Sequence, residues 1–153
     1  MDKGIYCLVF KNPACTVRIG ALGSLPFVAG WHCYTGSALG PGGLLRLERH
    51  LYLATHRDRR PTWHVDYLLT DPRFRVAYAV YAQTQERLEC QLAAALARGG
   101  PGVEKFGCSD CNCPSHLLYW SREPQAEIVA AFAGLGLTPG IKTIITTKAK
   151  GNL

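Results

Sequence analysis

Apolar side chains recur along the chain in two rhythms, one of strands and one of helices. Gly4 to Phe10 is almost continuously apolar and bounded by the turn Asn12-Pro13-Ala14, which predicts a strand buried on both faces. Thr16 to Ile19 and Gly30 to Thr35 predict two more strands, with an irregular stretch over 21–29 between them. Beyond the breaker Gly40-Pro41-Gly42-Gly43, the residues Leu44, Leu47 and Leu51 return at helical spacing and predict a helix to about Tyr52. Trp63 to Leu69 reads as extended chain or a short helical turn, and Val76 to Tyr81 as a central strand. Thr84 is placed to cap a second helix running to Arg98, with Leu88, Leu92, Ala95 and Leu96 inward and Gly99-Gly100 as its stop. Leu117 to Trp120, Pro124 to Ala133 and Ile141 to Thr147 predict a strand, a helix and a last strand.

This order predicts one α/β domain over 1–153, with a central mixed, largely antiparallel sheet flanked by helices. Its core spans about 4–97, and 98–153 adds a Cys-rich loop and a helix/strand extension. The length of 153 residues fits a single domain. The longest early apolar run, Ile5 to Phe10, is far below a membrane span, and no leader is expected at the start.

Charge narrows the partners. The chain carries 17 Lys and Arg against 11 Asp and Glu, a net charge of +6 that favours a polyanion such as nucleic acid. Seven of the arginines (46, 49, 57, 59, 60, 73 and 75) fall between Arg46 and Arg75, against four acids. Within that stretch, His56-Arg57-Asp58-Arg59-Arg60 suits the phosphate backbone, and Tyr52 and Trp63 beside it could stack on unpaired bases. A solvated loop is the plainer reading of the same charges.

Seven cysteines, two of them (Cys7 and Cys33) inside strand-like runs, suggest reduced thiols and a cytoplasmic setting. Cys108, Cys111, Cys113 and His116 form a Cys3His ligand set in nine residues, the donors of a structural zinc site. The spacing is tight for one loop, so a fourth ligand from elsewhere, a pairing with His64, or a packed thiol loop stay open.

The most specific signal is an ordered combination. Gly4-Ile5-Tyr6 lies in the first strand, Tyr34-Thr35-Gly36-Ser37 in a later one, and Arg46 and His50 follow on one helix. Alternation puts Tyr6 and Tyr34 on one face if their strands are neighbours. Arg46 and His50 fall about 40° apart on a helical wheel, away from the leucine stripe, so both are expected to look into a cleft. Together these residues resemble the GIY-YIG nuclease superfamily over about 4–97. Gly36-Ser37-Ala38 and Pro41-Gly42-Gly43 ahead of the Arg-His helix, with Trp63-His64-Val65-Asp66-Tyr67 and Gly107-Cys108-Ser109-Asp110-Cys111, look most like its Uri-type stand-alone prokaryotic endonucleases, to about Tyr119.

The resemblance implies a metal-dependent endonuclease acting on DNA, branched, damaged or single-stranded, through one Mg2+ or Mn2+ held by a glutamate on a later helix. With Leu88 as the centre of the buried stripe, Glu89 lies about 100° round it and Glu86 about 160° round in the first turn, so Glu89 is the expected ligand. Arg46 would neutralise developing charge, Tyr34 or Tyr6 would align or deprotonate the water, and a base role would need the phenol's pKa lowered by the ion, Arg46 or a neighbouring imidazole such as His50. Ser37 is given a supporting hydroxyl, and Arg49, Arg57, Arg59 and Arg60 are given the nucleic-acid backbone.

Four departures mark this chain. Thr35 stands where isoleucine or valine is usual, Tyr6 and Tyr34 are farther apart than in many members, Gly40 to Gly43 delays the helix, and Ser37 stands where some members place lysine. Two other functional classes fit the same composition. One is a catalytically silent nucleic-acid-binding module with a structural zinc loop. The other is a protein-interaction domain using a sheet edge and the tail after Lys142.

Overall fold

The computed structural model describes residues 2–98, 102–108 and 113–143. Its elements are β1 (Gly4–Asn12), β2 (Cys15–Arg18), β3 (Ser24–Phe27), β4 (Gly30–Ala38), α1 (Leu45–His56), α2 (His64–Leu69), β5 (Arg75–Gln83), α3 (Glu89–Leu96), β6 (Leu117–Trp120), α4 (Gln125–Gly134) and β7 (Gly140–Lys142). Five strands form one sheet in the order β6-β4-β1-β5-β7, and β2 pairs with β3 in a separate hairpin. Every pairing in the large sheet is antiparallel, so the mixed sheet expected from sequence is wholly antiparallel.

β1 is the middle strand, which explains its unbroken apolar run. Tyr6, Leu8 and Phe10 face a core shared with Leu47, Leu51, Leu68 and Phe74 from the α1–α2 side. Ile5, Cys7 and Val9 face Leu92 and Leu96 of α3 and Ile128 and Phe132 of α4. Each such large side chain, fully buried, stabilises the fold by about 1.5–3 kcal/mol. Helices therefore cover both faces of the sheet.

The long separation of the two tyrosines is filled by a hairpin. The β2–β3 hairpin lies between β1 and β4, and its Val17, Ile19 and Phe27 join the core. The β1–β4 register runs without a break from Gly4 opposite Ala38 to Asn12 opposite Gly30, so the pairing is intact across the long connection. β3, with Pro26 inside it, falls in the stretch that the sequence marks as irregular.

Two helix boundaries differ from expectation. α1 runs four residues beyond Tyr52 and closes with Arg57 in a left-handed conformation (φ 49°), its N–H donating to the Leu53 carbonyl at 2.8 Å. α3 begins at Glu89, because the Thr84 hydroxyl accepts the Glu86 N–H at 3.1 Å and closes a local turn. Glu86 is therefore an exposed loop residue, Leu88 is the N-cap, and Glu89 stands in the helix's first turn. β7 takes up the start of the expected last strand, while 144–147 lie outside the described residues. Among the described residues no helix is long and apolar enough to cross a membrane.

Candidate functional site

A cleft of about 550 Å³ opens where β1 and β4 meet the start of α1, the Thr62–His64 segment and the first turn of α3. Tyr6, Tyr34, Ser37, Arg46 and Glu89 all line it. Tyr6 lies opposite Gly36 and Leu8 opposite Tyr34 across the β1–β4 ladder, so both phenols belong to one sheet face as alternation predicts.

The glycines of the two motifs have steric reasons. A Cβ on Gly36 would lie 2.4 Å from Tyr6 Cζ and 2.5 Å from its hydroxyl, because the Tyr6 ring lies across that backbone. A Cβ on Gly4 would lie 2.4 Å from the Ala82 carbonyl oxygen of the neighbouring β5. Strand pairing and ring packing leave no room for a side chain at either position.

His50 departs from expectation. On α1 the residues Leu47, His50, Leu51 and Ala54 form one buried face, so His50 sits 4% exposed against β1 rather than in the cleft. Its Nε2 lies 2.8 Å from the Tyr6 hydroxyl. Burial, opposed by Asp66, lowers the His50 pKa to about 4, so the imidazole is neutral at pH 7. Burial likewise holds the Tyr6 phenol well above its ordinary value, outweighing the pull of Arg46. We therefore assign the phenol O–H as donor to Nε2. Burial thus works against the Tyr6 phenolate that a base role would need.

His32 is also buried neutral, lowered to about 4 by burial, with Nδ1 2.7 Å from Asn12 Oδ1. Between pH 6.5 and about 4 the unfolded chain takes up protons at His32 and His50 that the native chain does not bind. The stability these residues contribute is thus present above their unfolded pKa and lost as pH falls through that window, by up to about 3 kcal/mol each. Urea midpoints should fall steadily between neutrality and about pH 4.5. A flat profile would remove this account of the two imidazoles.

Arg46 is fixed from two sides. Its Nη1 donates to the Ser37 carbonyl at 3.2 Å, and its guanidinium lies 4.9 Å from the centre of the Trp63 ring. The Ser37 contact is thus made by its carbonyl rather than by the hydroxyl expected from sequence. Trp63 is held in turn by Asp66, whose Oδ2 accepts the Thr62 and Trp63 N–H groups at 2.9 Å each. The Trp63-x-x-Asp66 spacing before a helix was the available signal for this wall of the cleft.

Glu89 is the unusual group. Its side chain is 12% exposed, Oε2 meets the Arg87 guanidinium at 3.5 Å, and the buried Oε1 has no hydrogen-bond partner among the described residues. An orphaned, buried carboxylate oxygen in a cleft with an arginine fork and two phenols fits one hard divalent cation.

A second groove of about 1050 Å³ shares Arg46, Thr62 and Trp63 with this cleft. Arg49, Arg59, Arg60, Tyr52, His50 and Lys142 also line it. Tyr52 and Trp63 are each 48% exposed. Arg57 lines neither hollow, because its place is the left-handed end of α1.

The cysteine loop also differs from expectation. Cys90 of α3, Cys113 and His116 bring their ligand atoms within 4.8 Å of one another, a cluster that could hold a metal ion. Cys113 and His116 belong to the set nominated from sequence, and Cys111 lies outside the described residues. Cys108 is not part of the cluster; its thiol meets the Phe106 carbonyl at 3.4 Å. Cys90 supplies the donor from elsewhere, with no spacing signal to announce it. His64 meets the loop by accepting the Gly107 N–H on Nδ1 at 2.8 Å and by packing its ring edge-on against Phe106, 5.5 Å between centroids. Thr35 proves structural: its hydroxyl lies 2.9 Å from His116 Nδ1, and its N–H donates to the His116 carbonyl at 2.8 Å.

Comparison with known protein families matches residues 5–137 to the family described as "Domain of unknown function DUF123". No curated protein and no solved structure matches the chain.

Proposed function

The chain belongs to the DUF123 family, and we propose that it is a GIY-YIG-type, Uri-like endonuclease that hydrolyses phosphodiester bonds in DNA with one divalent cation. The observation that carries this reading is the buried Glu89 Oε1, without a partner among the described residues, in the cleft of Tyr6, Tyr34 and Arg46. A single carboxylate of this kind supports one ion rather than two. Mg2+ or Mn2+ held by Glu89 would supply Lewis-acid stabilisation of charge on the phosphate and the leaving oxygen.

The remaining work falls to the chain's own side chains. Arg46, held by the Ser37 carbonyl and the Trp63 ring, offers planar N–H donors to a non-bridging phosphate oxygen. Tyr34 orients the attacking water from the cleft wall. Tyr6, its O–H given to the neutral His50 Nε2, turns its oxygen lone pairs to the cleft and helps align the attacking water. Arg49, Arg59 and Arg60 take backbone phosphates along the second groove, where Tyr52 and Trp63 offer faces to unpaired bases. The donors Cys90, Cys113 and His116 suit zinc, since two thiolates and an imidazole favour a borderline-soft ion over Mg2+.

Nicking of supercoiled plasmid tests the proposal. We expect cleavage that requires Mg2+ or Mn2+ and is stopped by chelation, and Arg46→Lys should lower it by about a hundredfold through loss of the bidentate fork. Binding of DNA without cleavage under any divalent ion would favour the silent binding module instead.

A further inference from the structure

Glu89 and Cys90 are consecutive residues at the start of α3, so a bond that fixes the Cys90 sulfur also limits where the Glu89 carboxylate can stand. That start is weakly held by the helix itself. α3 has eight residues, its N-cap Leu88 makes no side-chain cap hydrogen bond, and its buried Leu92, Ala93 and Leu96 lie toward its far end. The first N–H groups of a helix have no intrahelical partners, and a short uncapped helix frays there first.

The other side of the cluster is anchored firmly. His116 is joined to Thr35 through both the backbone and the side chain, and Thr35 stands between Tyr34 and Gly36 on β4. If the Thr35 oxygen accepts from Nδ1–H, Nε2 is the ring's ligating nitrogen, and it lies 3.1 Å from Cys113 Sγ. A ligating imidazole divides its nitrogens in this way, one on the metal and the other on a supporting acceptor.

We infer that a metal ion bound by Cys90, Cys113 and His116 is a strap that ties the first turn of α3 to β4 and so sets the position of Glu89 in the cleft. The inference rests on the reading of Glu89 as ligand of the cleft's own cation. The two sites sort their ions by donor chemistry, thiolate and imidazole selecting zinc in one and a hard carboxylate selecting Mg2+ or Mn2+ in the other. Cys90, Cys113 and His116 are then positioning residues that act on the reaction only through Glu89.

The test uses the full chain with reduced thiols and reads metals rather than cleavage. Titration with Zn2+ should show one tight equivalent. Co2+ in its place should give tetrahedral absorption with a thiolate charge-transfer band. Cys90→Ser and His116→Ala should each weaken Zn2+ binding at least about tenfold, whereas Cys15→Ser, remote from the cluster, should not. Mn2+ binding, followed by electron paramagnetic resonance, should be about tenfold tighter in the zinc-loaded wild-type chain than in the zinc-stripped one. Glu89→Gln should remove the Mn2+ site and leave the zinc. A chain that shows this zinc-dependent Mn2+ affinity yet cuts no DNA would keep the strap and lose the nuclease reading. Absence of stoichiometric Zn2+, wild-type affinity in Cys90→Ser, or Mn2+ affinity indifferent to zinc would each overturn the strap.

Discussion

Glu89→Gln is expected to abolish cleavage, lowering the rate by about a thousandfold or more, while leaving the fold at least as stable as the parent. The two halves of this result have one cause. Glu89 Oε1 is buried without a partner among the described residues, an arrangement that costs about 1–3 kcal/mol when no cation answers it. A glutamine keeps the shape, removes the charge and holds a hard cation poorly, so the site is lost while the unpaired buried atom becomes a neutral amide that costs less to bury. A chain of this size should melt at an unchanged temperature or a few degrees higher, roughly 2–4 °C for each kcal/mol recovered. Unaltered cleavage by Glu89→Gln would end the assignment of the ion ligand. A sharp fall in melting temperature would show that Glu89 supports the fold rather than opposes it.

Gly36→Ala should show the opposite pattern, losing stability and activity together. The new methyl carbon would meet the Tyr6 ring at 2.4 Å, and Tyr6 is 1% exposed with its hydroxyl committed to His50. Neither the ring nor the paired strand can retreat cheaply. Overpacking of this kind costs about 1–3 kcal/mol, and breaking a buried hydrogen bond adds to it. Thermal melting should fall by about 5–10 °C, with nicking reduced at temperatures where the variant is still folded. An alanine variant with parental melting would mean that Tyr6 does not lie across Gly36.

The two results separate what the sequence displays from what it hides. Alternation placed Tyr6 and Tyr34 on one face because strand geometry repeats every two residues, and the pairing of β1 with β4 realises it. Glu89 was separable from Glu86 because half-burial follows from the leucine stripe, although the helix itself begins later than a capping threonine suggested. The burial of His50 was not legible, since the leucines alone put it beside the stripe, and the buried face proved wide enough to take it in with Leu47, Leu51 and Ala54. Cys90 was invisible for another reason: its partners lie 23 or more residues away in sequence, and only folding brings them within ligand distance. Thr35 looked like a neutral substitution until its hydrogen bonds to His116 were seen.

The hairpin lodged between β1 and β4 carries a consequence for how kindred chains are found. Because the ladder, and not the length of the connection, decides that Tyr6 faces Gly36, evolution can lengthen or shorten that excursion without disturbing the hollow. A scan demanding a set count of positions between the paired tyrosines would pass over such chains. One that asks which residue each tyrosine confronts across the ladder would recover them.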